Sequence, residues 1–237
     1  MILHRIIGHL KTQNWNAIAI EFVIVTAGVL MGIQVSNWND DRLEKARIQQ
    51  QFASLRTELE GNRTKIKEYQ AHIGTQLRDI QELERGFDRP DGAAGIDRKL
   101  INIFRVRSLL LETSAYDELT NTGSIRHVNP DVRSGITEWA AGKGLVERVD
   151  QDALAFRIGA VDHLFSALAF EPMAASLAPS FKPAGRAPLR NDLARLTTDI
   201  KVRNYLAMRY VIENQKLQFS KDLERSTEEL IALLGKD

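Results

Sequence analysis

The sequence predicts an all-α chain in which one N-terminal transmembrane helix continues into an elongated helical bundle with two long antiparallel helices. Three observations carry this. Residues 17–36 are twenty positions whose only charge is Glu21, about what is needed to cross a ~30 Å hydrocarbon core. From Ile48 onward, apolar residues recur at alternating steps of four and three, an apolar helical seam. A second long amphipathic pattern closes the chain, and no stretch alternates as a strand would.

Taking the elements in order, residues 1–14 form a short basic tail and residues 15–38 the span. Trp15 and Trp38 bracket the apolar run 23 positions apart. That is roughly 34 Å of helix, so the two indoles suit the two membrane interfaces. A cleaved signal peptide shares the basic-then-apolar order. It is disfavoured because the run is long, no small-x-small site follows it, and helical pattern continues past it. Arg5 and Lys11 precede the span, whereas Arg42, Lys45 and Arg47 follow it, diluted by Asp40, Asp41 and Glu44. Lys/Arg counts alone lean slightly the other way. A cytoplasmic N-terminus, with residues 39–237 extracytoplasmic, therefore rests on the shortness and net charge of the tail. In a Gram-negative cell this is an inner-membrane protein with a periplasmic domain.

At 100° per residue, Glu21, Val25, Gly28, Gly32 and Asn39 share one stripe of the span. Gly28 and Gly32 make a GxxxG, which lets two membrane helices approach closely because no side chain intervenes. An ionisable group in hydrocarbon usually faces protein or water, so Glu21 on the same stripe points to a contact face. The alternative is a carboxylate about 6 Å inside the boundary that snorkels to the headgroups.

These residues carry a resemblance. The run through Glu21, Val23, Val25, Gly28, Val29, Leu30, Ile33, Gln34, Asn37, Trp38 and Asn39, followed by Asp40, Asp41 and Arg42, resembles the N-terminal anchor of a widespread bacterial family of uncharacterised single-pass membrane proteins. Tyr116 to Ile136 is similar to that family's second block, where a helix ends at a glycine and another opens after a polar turn. The likeness covers about 45 N-terminal residues and some twenty in the middle. It implies architecture and localisation and no activity. Met31 and Gly32 stand where the family commonly has Ala-Leu, so the GxxxG is a local feature of this chain.

In the body, the seam runs Ile48, Phe52, Leu55, Leu59, Ile66, Tyr69, Ile73, Leu77, Ile80. Asn62 falls on it, read as a solvated kink in preference to a buried register-fixing amide. Pro90 and three glycines end this helix between Arg85 and Gly95. Asp97 then caps a helix through Leu111, Thr113 opens one that ends at Gly123, and Asn129-Pro130 starts a long one with a possible break at Gly142–Gly144. Residues 153–170 look membrane-like, but Arg157, Asp162 and His163 in the middle make a buried core helix the better reading. Residues 171–190 hold four of the six prolines and form a loop. Its Met173, Leu177 and Phe181 either dock a partner or pack the loop on its own domain, the second being favoured. Asp192 caps the next helix. The final one, from about Thr198 to Leu234, turns Ile200, Ala207, Tyr210, Val211, Asn214 and Leu217 inward, with Leu223, Leu230 and Leu234 at its end.

Composition narrows function. The 237 residues carry 32 basic and 31 acidic side chains, and setting aside Arg5, Lys11 and Glu21 leaves a neutral remainder. That argues against nucleic acid and polyanionic substrates. Cysteine is absent, which removes disulfides, thiolate nucleophiles and zinc-thiolate sites. No nucleophile elbow, zincin, P-loop or dinucleotide motif occurs, and His72, His127 and His163 lie far apart. The sequence therefore predicts no enzyme, cofactor or metal. It predicts a membrane-anchored accessory or scaffold subunit, in contact with lipid and with a second copy or another membrane protein. The alternative is a ligand-binding helical sensor domain that signals through a partner.

Overall fold

The computed structural model describes residues 15–86, 95–171, 174, 180, 191 and 193–235. Met173, Leu177 and Phe181, and the helix cap expected at Asp192, lie outside the described residues. The described chain is helical, with no strand. In order come α1 (Trp15–Gly86), α2 (Ile96–Phe104), α3 (Ser114–Asn121), a 3-10 turn (Ser124–His127), α4 (Pro130–Ala167), α5 (Leu193–Thr198) and α6 (Ile200–Leu234). Two compact units divide the chain, Met1–Gln51 and Phe52–Asp237.

In the first unit, α1 exposes its apolar side chains in every direction. Phe22, Val23, Ile24, Val25, Val29, Leu30, Met31, Ile33 and Val35 are between 50% and 70% exposed. The helix is long and apolar enough here to cross a membrane, by length and composition.

The second unit has the core. On α1 the expected seam is buried from Phe52 through Ile80 and continues to Leu83. α4 and α6 pack along most of their length. A Cβ on Gly135 would meet Leu230 and Leu233, one on Gly142 would meet Leu223, Asp150 reaches Lys216 and His163 reaches Asp199. α4 runs unbroken through Gly142 and Gly144, because close approach of α6 at Gly142 rewards the missing side chain. Polar links join α1 to α6: Arg63 to Glu228 at 3.8 Å, Lys67 to Glu224 at 3.4 Å, Gln70 to Glu224 at 2.9 Å and Gln81 to Tyr210 at 2.8 Å. At one end, Ile80, Leu83, Leu100, Ile103, Leu164 and Leu206 form a continuous apolar cluster.

Three local expectations change. α2 starts after Gly95 (φ 80°), where a left-handed backbone suits glycine, and Asp97 sits in its first turn, accepting from Asn191 at 2.7 Å. It ends at Phe104, not Leu111, and residues 105–113 have no regular secondary structure, the backbone turning extended at Arg105. Asn62 is fully buried. Both changes share a cause: the irregular stretch 105–113 runs against the helices, and its backbone groups take partners from side chains. The third concerns α6. Ile200 and Val211 are 63% and 56% exposed, and Ala207 and Asn214 are also exposed, while the buried line is Val202, Leu206, Arg209, Glu213, Lys216, Ser220, Leu223, Thr227, Leu230 and Leu234. Elsewhere the starts hold. Asn129 Oδ1 accepts from the Asp131 amide with Pro130 behind it, and Gly123 turns left-handed at φ 75°.

Candidate functional site

The stripe Glu21, Val25, Gly28, Gly32, Asn39 lies wholly on α1, in the first unit. A helix places these positions within about 60° of one another around its axis. All five are exposed, and a Cβ built on Gly28 or Gly32 meets nothing within 4 Å. The face is therefore flat at its centre, with a carboxylate at one end and an amide at the other. Trp38 is 65% exposed, one turn before Arg42 and two before Lys45, so an indole and two cations share one face at the end of the apolar run. Trp15 is the first residue of α1. No described residue packs on this stripe, and the expected docking residues of the 171–190 loop fall outside the described chain.

A second constellation, in the second unit, was not expected. It is a buried ionic network of Tyr69 (α1), Asp150 (α4) and Arg209, Glu213 and Lys216 (α6). Asp150 Oδ1 accepts from the Tyr69 hydroxyl at 2.6 Å and lies 3.0 Å from Lys216 Nζ, while Oδ2 accepts from the Leu109 amide at 2.8 Å. Lys216 Nζ also donates to the Arg107 carbonyl at 3.1 Å and stands 5.2 Å above the Tyr69 ring. Arg209 Nη2 lies 2.6 Å from Glu213 Oε1 and donates to the Arg105 carbonyl at 3.1 Å. Gln76 Nε2 donates to the carbonyls of Asn102 and Arg105. Two cations face two carboxylates, so the set is neutral.

The same logic runs along the rest of the stretch between α2 and α3. Asn62 Nδ2 donates to the Glu112 carbonyl at 2.7 Å and its Oδ1 accepts from the Glu112 amide at 2.9 Å. Glu58 accepts from the Ala115 amide at 2.7 Å and the Ser114 hydroxyl at 3.0 Å, which places a carboxylate at the N-terminus of α3. Residues 105–115 are thus held at their backbone by side chains of α1, α4 and α6.

Burial tunes the network. It pushes the Tyr69 phenol up, and the charge and hydrogen bond of Asp150 push it further. Burial likewise pushes the Glu213 carboxyl up, against the pull of Arg209 and Lys216. The His72 imidazole is held below its ordinary value by burial and then by the nearby cations Arg107, Lys216, Arg105 and Arg209. Arg209 Nε and Nη1 and His72 Nε2 have no hydrogen-bond partner among the described residues. With side chains fully enclosed, this arrangement anchors backbone and offers no surface to a substrate.

The signal for it lies in the spacing of α6. Val202, Leu206, Arg209, Glu213, Lys216, Ser220, Leu223, Thr227, Leu230 and Leu234 keep alternating steps of four and three without a break. Carrying the terminal leucines backward in register lands on the charged residues, whereas following apolar residues alone leaves the register. Among the described residues no three His, Asp or Glu side chains are grouped to hold a metal ion. No family model, curated protein or solved structure matches this chain.

Proposed function

We propose that this protein is a non-enzymatic, membrane-anchored accessory or scaffold subunit of the bacterial inner membrane. Its N-terminal tail is cytoplasmic, residues 15–38 span the bilayer, and the helical domain is extracytoplasmic. The carrying observation is that the first part of α1 is apolar and exposed all round. A helix hydrophobic on every side needs lipid or a larger core around it, and none of the described protein covers this one. Within it, the Glu21–Gly28–Gly32–Asn39 stripe is the face that grips a second membrane helix. The resemblance to the single-pass family supports the same architecture. In this reading the domain is an elongated bundle whose two long helices, α1 and α6, run antiparallel. Its support is the series Arg63 to Glu228, Gln70 to Glu224 and Gln81 to Tyr210, in which one number rises as the other falls.

The test is association in a bilayer. Replacing Gly28 and Gly32 together by leucine should abolish crosslinking between anchors while leaving membrane insertion intact. The rest of the span stays apolar, so only close approach is lost. Glu21→Gln keeps a hydrogen-bonding group and removes the charge. If association survives Gln but fails with the leucines, the carboxylate serves as a polar contact. Unchanged crosslinking in the glycine variant refutes the contact face.

A further inference from the structure

At the other end of α6 from its terminal leucines, a cavity of about 270 Å³ opens between α4 and α6. Its walls are apolar: Phe156, Leu164, Tyr205 and Met208, with Ala160 between them. The groove opens to solvent and adjoins an aromatic group of the domain. The Tyr205 ring is stacked against Phe104 and against Phe156, each at 5.3 Å between centroids. Tyr205 is only 4% exposed, so the floor is rigid, whereas Met208 at 47% leaves the mouth open.

The rim is polar and carries the discriminating chemistry. His163, Lys201 and Asn204 line it. Asp199 lies beside them, but its Oδ1 already accepts from the Lys201 amide at 2.9 Å and the Val202 amide at 3.3 Å, and meets His163 Nε2 at 3.3 Å. The helix N-terminus is therefore satisfied from within. Lys201 makes no ion pair among the described residues, and its exposed ammonium is the charge left to a ligand. At roughly 30 Å³ per water-sized group, the space takes about nine such groups, the bulk of a single medium-length acyl chain.

We propose that this cavity binds a free medium-chain carboxylate, its acyl chain against Phe156, Leu164, Tyr205 and Met208 and its carboxylate at Lys201. An apolar pocket with a small number of placed polar groups is the usual form of a small-ligand site. Binding here is independent of how the anchor associates. The inference deepens the ligand-binding alternative read from the sequence and can fail or stand without the anchor reading.

The test is photolabelling of the full-length protein in phosphatidylcholine nanodiscs with a diazirine analogue of decanoate, mapped by mass spectrometry. Saturable adducts are expected in residues 156–164 and 201–208, displaced by unlabelled decanoate. Filling the cavity with Ala160→Phe should cut them at least tenfold. Met208→Trp, at a half-exposed position that tolerates bulk, should do the same and serves if the first variant misfolds. Lys201→Glu should lower labelling by the carboxylate about tenfold and leave that by its methyl ester unchanged. Adducts confined to the apolar run of α1, or labelling that survives both filling variants, overturn the site. Equal loss of both probes, or of neither, in Lys201→Glu overturns the role given to the ammonium.

Discussion

Lys216 shows how much one buried side chain holds in this domain. Its ammonium is shared between Asp150 at 3.0 Å, Glu213 at 3.7 Å and the Arg107 carbonyl at 3.1 Å, all out of water. Replacing a whole buried ion pair by well-packed apolar groups is often neutral, but removing one partner strands the other. Lys216→Met should therefore cost about 3–5 kcal/mol, read by chemical denaturation of the domain, because Asp150 then has no cationic partner among the described residues and Glu213 keeps only Arg209. Adding Asp150→Asn to that variant should recover part of the loss, since the stranded charge is gone, although the single amide oxygen can replace only one of the two acceptors used by the Tyr69 hydroxyl and the Leu109 amide. A loss under about 1 kcal/mol, the range of exposed ion pairs, would mean that water reaches Asp150.

Among the elements, the stretch between α2 and α3 is the one that neither helix propensity nor apolar periodicity describes. Its clamps have the effect of a sheet partner, one backbone group at a time. Asn62→Leu deletes two of these part-buried bonds and puts an apolar side chain against the Glu112 N–H and C=O, a loss of about 0.5–1.5 kcal/mol for each bond. Hydrogen exchange at the Glu112 amide should accelerate strongly, and more than at amides of α4 near Trp139. Uniform acceleration would show instead a global loss. Helix starts with local chemistry, such as Asn129-Pro130 and Gly123, were legible from sequence because the cap and the turn lie within a few residues. The α1 seam was legible for the same reason, its apolar steps being unbroken save at Asn62. The inner face of α6 was not. There Arg209, Glu213 and Lys216 occupy seam positions, and their reason for being inside, the carbonyls of Arg105 and Arg107, lies more than a hundred residues away. The end of α2 failed likewise, since Val106 to Leu111 suit a helix locally and are drawn out by distant partners. Glu21, Val25, Gly28, Gly32 and Asn39 were readable as one helical face, and all five are exposed.

For the molecule as a whole, stability and pH are tied through the same enclosed charges. The His72 imidazole is held below its ordinary value of about 6.5. Above that pH neither the folded nor the unfolded chain carries the proton. Below it the unfolded chain takes one up first, so stability is full above pH ~6.5 and lost as pH falls through the depressed value. The melting temperature should drop between pH 7.5 and 5.5, and His72→Gln should flatten that slope. Glu213 acts in the opposite sense. Its raised carboxyl adds stability present in acid and lost as pH rises through its folded value, so comparing wild type with the His72 variant isolates the imidazole. An identical slope in both proteins would place the titration elsewhere.

The clamped stretch also dictates an order of assembly. Tyr69, the Leu109 amide and Asp150 are all present once α4 has been made, but the cations that neutralise this carboxylate and hold the carbonyls of Arg105 and Arg107 arrive only with residues 209–216. A nascent chain that has not yet reached α6 carries the Asp150 carboxylate without its cation and the carbonyls of Arg105 and Arg107 without their side-chain donors. The last helix is thus a closing bolt whose charges arrive together with its apolar seam, and a chain cut short before Arg209 would leave a target for quality-control proteases rather than a smaller version of the domain.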